Sequence, residues 1–224
     1  MDGAQAGCYG RHLSRPHSKP VPCIRCYSMA EVRSFQTYRS QTQALLDAVC
    51  PQQVAAVCDV LQHVYTTGGT VWACGNGGSA STASHFSEDL AKLMWDSASG
   101  RRLKCHALTE ATPFLTALAN DDGYERIFEI QLAIQGSPAD AVICISGSGE
   151  SPNILSAARY AQAHGMQAIA VTGFDGGTLQ KIAPHHIHVP SHNMGMLEGV
   201  HLLVLDYISK ELRHRVYGVP HHVR

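Results

Sequence analysis

Residues 70–79 are Thr-Val-Trp-Ala-Cys-Gly-Asn-Gly-Gly-Ser, and they set a pattern that the rest of the chain repeats. Thr70 to Cys74 is a short apolar run bounded by glycines, which predicts a buried strand. A glycine-rich turn follows, and then a helical pattern from about Ser79 to Met94. Strand, loop and helix in this order predict one unit of an α/β fold, with the turn at the carboxyl end of the strand.

The same unit recurs downstream. Predicted strands lie at 103–108, 141–145, 167–172 and 185–189, and predicted helices at 113–119, 124–134, 152–164, 176–182 and 196–213. Short apolar strands alternating with helices are typical of a mainly parallel sheet covered on both faces. We therefore predict an α/β fold, a three-layer α/β/α sandwich of the flavodoxin-like kind. Two amphipathic helices, 30–50 and 51–67, precede the sheet.

The first 28 residues differ from the rest. They show neither a helical nor a strand period, so we predict a disordered extension at 1–28 and a folded domain at 29–224. Met29 is an alternative start. The pair Cys23 and Cys26 has the spacing of a metal knuckle, but one pair without a second is weak evidence for zinc.

Composition excludes several classes of protein. The 224 residues are 45% hydrophobic and 16% charged, with a formal net charge of −1. The chain therefore lacks the basic excess that binds nucleic acid or an anionic membrane, and no run approaches the ~20 apolar residues of a membrane span. The eight cysteines are scattered, and some lie in predicted strands. We expect reduced thiols and a cytoplasmic protein.

Two loops carry candidate binding residues. In the loop at 75–79, glycines let the backbone approach a ligand, and Ser79 is expected to cap the following helix. The loop at 146–151 offers three serines, again directly before a helix. Hydroxyls and helix N–H groups hold phosphate without lysine. Neither loop has a nucleotide-binding glycine motif, so no nucleotide cofactor is expected. Tight strand-to-helix turns are the alternative interpretation of both.

These motifs resemble those of the sugar isomerase (SIS) domain proteins and, within them, the phosphoheptose isomerases, which interconvert sedoheptulose 7-phosphate and a heptose 7-phosphate. The resemblance runs from about Met29 to Leu212. It rests on the glycine turn, His85-Phe86, Ala119-Asn120-Asp121, the serine loop and residues 172–177. It implies a sugar-phosphate cleft lined by Asn76, Gly77, Gly78, Ser79, Asn120, Asp121, Ser146, Gly147, Ser148 and Ser151. Without the resemblance, Asn120-Asp121 would be a helix-ending turn.

The acid/base residues depart from the family pattern. An aldose–ketose isomerase moves a proton between adjacent carbons, which needs a positioned base and a polarised carbonyl. His85 and Asp89 are four residues apart, on one face of the helix after the glycine turn. The family has glutamate where Asp89 stands, and the shorter side chain withdraws the carboxylate by roughly 1.5 Å. We predict Asp89 or Glu198 as the base, with His85 assisting.

The closing helix also departs from the family. The resemblance aligns Glu198 with a family glutamine and Asp206 with a histidine that is an acid/base and, in some members, a metal ligand. A candidate site for zinc or another divalent ion, with nitrogen and oxygen ligands, would consist of His85, Asp89, Glu198 and Asp206, with His201 as the alternative to Asp206. The other interpretation is that Asp206 is solvated and His201 packs in a subunit contact.

Two functions stay open on the sequence. The first is an isomerase acting on sedoheptulose 7-phosphate or a different sugar phosphate. The second is a noncatalytic binding or regulatory protein, because the family includes a bacterial regulator that binds a replication initiator and has lost acids and histidines from the cleft. This chain keeps His85, Glu88, Asp89 and Glu198, which favours the isomerase. In the family the first helices join four subunits, so a homotetramer is expected, with no nucleic acid or membrane partner.

Overall fold

A computed structural model describes residues 34–218 of the chain. The predicted extension at 1–28, its cysteine pair and the alternative start at Met29 lie outside the described residues. Five strands form one sheet: β1 (Thr70–Cys74), β2 (Lys104–Ala107), β3 (Ala141–Ser146), β4 (Gln167–Thr172) and β5 (His185–His188). The helices are α1 (Phe35–Ala48), α2 (Pro51–Thr67), α3 (Gly78–Leu93), α4 (Thr112–Asp121), α5 (Ile127–Gln135), α6 (Pro152–Ala163), α7 (Gly177–Ile182) and α8 (Met194–Tyr217).

The sheet has the order β2-β1-β3-β4-β5, and all its pairings are parallel. From β1 the chain proceeds to one edge of the sheet, and from β3 it proceeds to the other. Strands β1 and β3 are therefore neighbours whose connections diverge, which opens a crevice at their carboxyl ends. This confirms the predicted α/β class and the parallel sheet.

Each face of the sheet is covered by helices and has its own apolar core. Residues of β1 alternate between the two cores: Val71 and Ala73 pack with α2, α3 and α8, while Trp72 and Cys74 pack with α4, α5, α6 and α7. Both faces of a parallel strand are buried in this arrangement, which explains why β1 is a continuous apolar run rather than an alternating one. The three predicted layers are confirmed.

The first helix differs from the others because none of its residues is buried in the single chain. Ser34 is in an extended conformation with φ −160°, and its hydroxyl accepts from Thr37 N–H, so α1 begins at Phe35. The predicted start at Ala30 lies outside the described residues. Leu45, Leu46 and Val49 pack only partly against the core. An amphipathic helix normally buries its apolar face, and α1 leaves this face uncovered in the single chain.

Within residues 34–218, no single helix is long and apolar enough to cross a membrane. Helices α1 and α2 reach the required length and apolar content only when taken together, across a bend of 64°.

Candidate functional site

The two predicted binding loops lie side by side. They follow β1 and β3, which are hydrogen-bonded neighbours in the centre of the sheet, with Cys74 opposite Cys144. Helix α3 begins directly after the first loop and α6 directly after the second. Two helix N-termini and two polar loops therefore converge at one edge of the sheet, where an anionic ligand is favoured.

Asn76 is the polar centre of the first loop. Its amide forms a reciprocal pair with Asn153 on α6: Asn76 Nδ2 donates to Asn153 Oδ1 at 2.9 Å, and Asn153 Nδ2 donates to Asn76 Oδ1 at 2.8 Å. The hydroxyl of Tyr124 also donates to Asn76 Oδ1 at 2.9 Å. This amide pair joins the loop after β1 to the helix that follows β3.

Gly78, the first residue of α3, brings a carboxylate into the loop. A Cβ atom on this residue would lie 2.3 Å from both carboxylate oxygens of Glu198, so only glycine allows the approach. Burial raises the pKa of Glu198 from the ordinary value of a glutamate side chain. A partly buried carboxyl group close to a polar loop is a candidate for proton transfer. The structure therefore places Glu198 beside the predicted sugar-binding residues.

Ser79 departs from its predicted role. The residue that precedes α3 is Gly77, and Ser79 lies inside the first turn, buried, with no side-chain cap on this helix. The prediction that Ser79 caps α3 is wrong, because the capping position is Gly77, two residues earlier, and the helix begins at Gly78.

The serine loop is organised around Ser146. Its hydroxyl accepts from Gly149 N–H at 3.1 Å and lies 3.3 Å from the Ser151 hydroxyl. Ser148 Oγ accepts from Glu150 N–H at 3.2 Å. Gly147 is buried against Met194. Three hydroxyls thus lie between the end of β3 and the start of α6, where hydroxyls and helix N–H groups can donate to a phosphate group.

The loop that follows β4 and the first turn of α7 contact the serine loop and stabilise its conformation. Gly149 has φ +66°, and a Cβ atom there would lie 2.2 Å from the carbonyl oxygen of Gly176. The Leu179 N–H donates to Gly149 O at 2.9 Å. The Glu150 carboxylate accepts from the Thr178 hydroxyl at 2.9 Å. These contacts fix the loop conformation within one chain.

His85 and Asp89 form a pair on α3, as the spacing predicted. His85 Nε2 is 3.0 Å from Asp89 Oδ2, and the histidine side chain is about half exposed. The seven residues from Gly78 to His85 correspond to roughly 10 Å along the helix axis. The structure therefore separates this pair from the carboxylate of Glu198, a residue of α8 that contacts α3 at its first residue, Gly78.

The remaining predicted metal ligands are also apart. Asp206 pairs with Lys210 on the solvent side of α8, with Oδ2 and Nζ 2.7 Å apart. His201 is buried, and its Nε2 lies 3.0 Å from Thr172 O, where it donates. Burial lowers the pKa of His201 to about 4. Among residues 34–218 of the single chain, no three histidine, cysteine or acidic side chains are close enough to hold a metal ion. The donors of one chain do not fit zinc, and the metal stays a prediction.

Asn120 and Asp121 end α4, and both are exposed. Asn120 Nδ2 donates to Asp121 Oδ1 at 2.7 Å. The structure describes no hydrogen bond from this pair to the two loops. Between α4 and the first loop lies a cavity of about 210 Å³, and Asn76 and Tyr124 are among its lining residues. The cavity extends the cleft toward the end of α4.

The sequence did not single out Asn153 or Tyr124. Asn153 follows Pro152 in the first turn of a predicted helix, where no local pattern marks an amide as functional. Tyr124 opens a short 3₁₀ turn (Tyr124–Arg126) that was predicted as the start of a helix. Only the proximity of both residues to Asn76 reveals their part in the cleft.

Comparison with known proteins agrees with this geometry. The family model for the SIS domain matches residues 37–173. The chain belongs to the SIS domain family. SIS relatives that are similar over most of the chain include a phosphoheptose isomerase of Mycobacterium bovis (strain BCG / Pasteur 1173P2). It is 35% identical over 190 residues, which are 84% of this chain and 95% of the relative.

Solved SIS structures give the same result. A phosphoheptose isomerase from Francisella tularensis has a TM-score of 0.73 and 30% identity, covering 82% of this chain and 96% of its own. A phosphoheptose isomerase from Neisseria gonorrhoeae has a TM-score of 0.73 and 26% identity, covering 79% and 95%. The chain is therefore placed among the phosphoheptose isomerases of the SIS family by sequence and by fold.

Proposed function

We propose that this protein is an aldose–ketose isomerase acting on sedoheptulose 7-phosphate. The observation that carries the proposal is the position of Glu198, whose carboxylate lies against Gly78, beside the polar loop that adjoins the serine loop. A binding protein needs no acid with a raised pKa in this position. Two solved structures with a TM-score of 0.73, which align over 95% and 96% of their own length, are phosphoheptose isomerases.

The loops divide the work of binding. The hydroxyls of Ser146, Ser148 and Ser151 and the N-terminus of α6 would hold the phosphate, because N–H groups and hydroxyls both donate to its oxygens. Asn76 and the backbone of Gly77 would contact the sugar end. Glu198 would then remove a proton from the carbon next to the carbonyl and return it to the neighbouring carbon, through an enediol.

Assembly is part of the proposal. Helix α1 has no buried residue, and Leu203 and Tyr207 of α8 are exposed beside it. These helices and α2 border an apolar groove of about 340 Å³. Large exposed apolar surface of this kind is typical of subunit contacts. A homotetramer built on these helices would cover it, as the family resemblance implies.

The proposed assembly also determines which chains would supply the ligands of a metal ion. One chain does not gather His85, Asp89 and Glu198, so His85 and Asp89 would supply two ligands for zinc or another divalent ion and a neighbouring copy would supply the rest. A bound ion would polarise the substrate carbonyl. A cytoplasmic location is also proposed, because the cysteines among residues 34–218 are free thiols, which a reducing compartment preserves.

Proton exchange tests the isomerase directly. Purified protein is incubated with sedoheptulose 7-phosphate in deuterated water, and deuterium at the carbon next to the carbonyl is measured. We expect exchange in the wild-type protein and a loss of at least about 100-fold in Glu198→Ala, which removes the carboxylate without installing the family glutamine, since loss of a general base typically costs 10²–10⁴ in rate. Asp89→Ala is measured in parallel, with and without added zinc.

Binding without exchange would contradict the isomerase and support a noncatalytic sugar-phosphate protein. Exchange only with another sugar phosphate would move the assignment to that substrate. Glu88→Ala is the matched control for Glu198→Ala, because the structure places Glu88, which the sequence grouped with the acids of the cleft, at an exposed position of α3 where it pairs with Lys92 at 3.9 Å. It is expected to keep wild-type exchange.

A further inference from the structure

Asn76 has its amide orientation fixed by its surroundings. The Ile154 N–H donates to Asn153 Oδ1 at 3.0 Å, and a backbone N–H can only donate, so the oxygen of Asn153 is identified. The group facing that oxygen must then be the NH₂ of Asn76, at 2.9 Å. The oxygen and nitrogen of a side-chain amide are nearly indistinguishable by shape. The orientation of both amides is therefore assigned from their hydrogen bonds.

The same contacts leave Asn76 with one free function. Its Oδ1 accepts from Asn153 Nδ2 and from the Tyr124 hydroxyl, which occupies both lone pairs. One N–H of its NH₂ group is used on Asn153. The second N–H of Asn76 remains for a ligand. In this arrangement Asn76 can donate to a ligand oxygen, and it cannot accept from a hydroxyl.

We propose that Asn153 and Tyr124 are positioning residues that hold Asn76 as a single hydrogen-bond donor to an oxygen of the sugar. The inference rests on the proposed function, because it assumes that the sugar phosphate binds in this cleft. Asn153 is 1% exposed, and its amide leads from the phosphate-binding helix α6 to the sugar-binding loop. It therefore also sets the distance between the two ends of the ligand.

The two positioning residues differ in how safely they can be changed. Asn153 is buried, so Asn153→Ala leaves a cavity and unpaired partners. Tyr124 is 58% exposed, and Tyr124→Phe removes only the hydroxyl. Tyr124→Phe is therefore the main variant, and Asn153→Ala is included if its thermal unfolding remains cooperative.

The test measures the dissociation constant of sedoheptulose 7-phosphate by calorimetry in the full chain. Tyr124→Phe is expected to weaken binding about threefold to tenfold, the usual range for one hydrogen bond, and Asn153→Ala about tenfold or more. In an Asn76→Ala background, Tyr124→Phe should have no further effect, because the residue acts through Asn76. Inorganic phosphate should bind all variants equally. The matched control is Tyr160→Phe, which removes a tyrosine hydroxyl on α6 seven residues after Asn153. It should bind sedoheptulose 7-phosphate as the wild type does.

An equal loss from Tyr124→Phe with and without Asn76 would overturn the proposal, as would wild-type binding in both Tyr124→Phe and Asn153→Ala. Parallel weakening of inorganic phosphate would show a general structural effect and would overturn it as well. Turnover is measured separately. A wild-type protein that binds the sugar phosphate without converting it contradicts the proposed isomerase, while the binding constants still decide the coupling to Asn76.

Discussion

The serine loop and the acid/base residues contrast in how completely one chain builds them. The serine loop is stabilised within the chain by contacts with Gly176, Leu179 and Thr178, from the loop and helix after β4. The acid/base residues are divided: the carboxylate of Glu198, from α8, contacts the first residue of α3, whereas the His85–Asp89 pair lies roughly two turns further along α3. The proposed binding residues thus lie within one chain, whereas the proposed catalytic set is complete only if a neighbouring copy contributes to it.

Of the changes that test this contrast, the largest expected effect comes from breaking the assembly without touching the serine loop. Leu203→Glu would place a charge in the groove between α1, α2 and α8, which is costly to bury. We expect light scattering to show a smaller particle than the assembly of four 24.2 kDa chains that we propose for the wild type. Deuterium exchange should fall at least about tenfold, a change of ~1.4 kcal/mol or more in the barrier.

Inorganic phosphate should still bind Leu203→Glu, since the serine loop lies in the same chain. The matched control is Ile134→Glu, which replaces another exposed apolar residue, on α5, far from the groove. A wild-type particle of one chain, or undiminished exchange in a monomeric Leu203→Glu, would refute the shared site.

The second prediction breaks the serine loop and leaves the assembly intact. Gly149→Ala combines an unfavourable φ of +66° with a clash against Gly176 O, so the loop must move. Displaced backbone of this kind typically costs 1–3 kcal/mol, and we expect the dissociation constant of the sugar phosphate to rise roughly tenfold by calorimetry. Gly100→Ala has a similar φ of +68° but open space around the new Cβ, and it should bind normally. Equal binding by both variants would show that the loop tolerates displacement.

The smallest expected effect concerns the anchoring of α8, the helix that carries Glu198. His201 donates to Thr172 O from a buried position, and burial lowers its pKa from an ordinary 6.5 to about 4. Between these pH values the unfolded chain binds more protons, so stability is lost as pH falls through this window. His201 alone is expected to lower the free energy of unfolding by roughly 2 kcal/mol between pH 7 and pH 5.

Urea unfolding at pH 7 and pH 5 tests this anchoring. The loss of unfolding free energy on acidification should be smaller in His201→Gln, which has no titrating group at this position. His63→Gln changes an exposed histidine on α2 and should keep the wild-type difference. An unchanged difference in His201→Gln would show that other groups cause the acid sensitivity.

The sequence predicted the order of the elements well because burial and turn chemistry are local signals. Continuous apolar runs marked strands buried on both faces, and glycines marked the loops. Boundaries were less accurate where a tertiary contact decides them. The closing helix extends to Tyr217 instead of Arg213, since the Tyr217 hydroxyl donates to Met94 O at 2.9 Å and its ring packs against Tyr65.

The sequence by itself determined the α/β class, the two binding loops and the His85–Asp89 pair, because each depends on residues a few positions apart. The tertiary structure decided which distant side chains meet at the cleft. Asn76 and Asn153 are 77 residues apart and pair because β1 and β3 are neighbours in the sheet. Glu198 reaches Gly78 because α3 and α8 pack on the same face. Contacts of this kind follow from the crossing of whole elements, which no local spacing records.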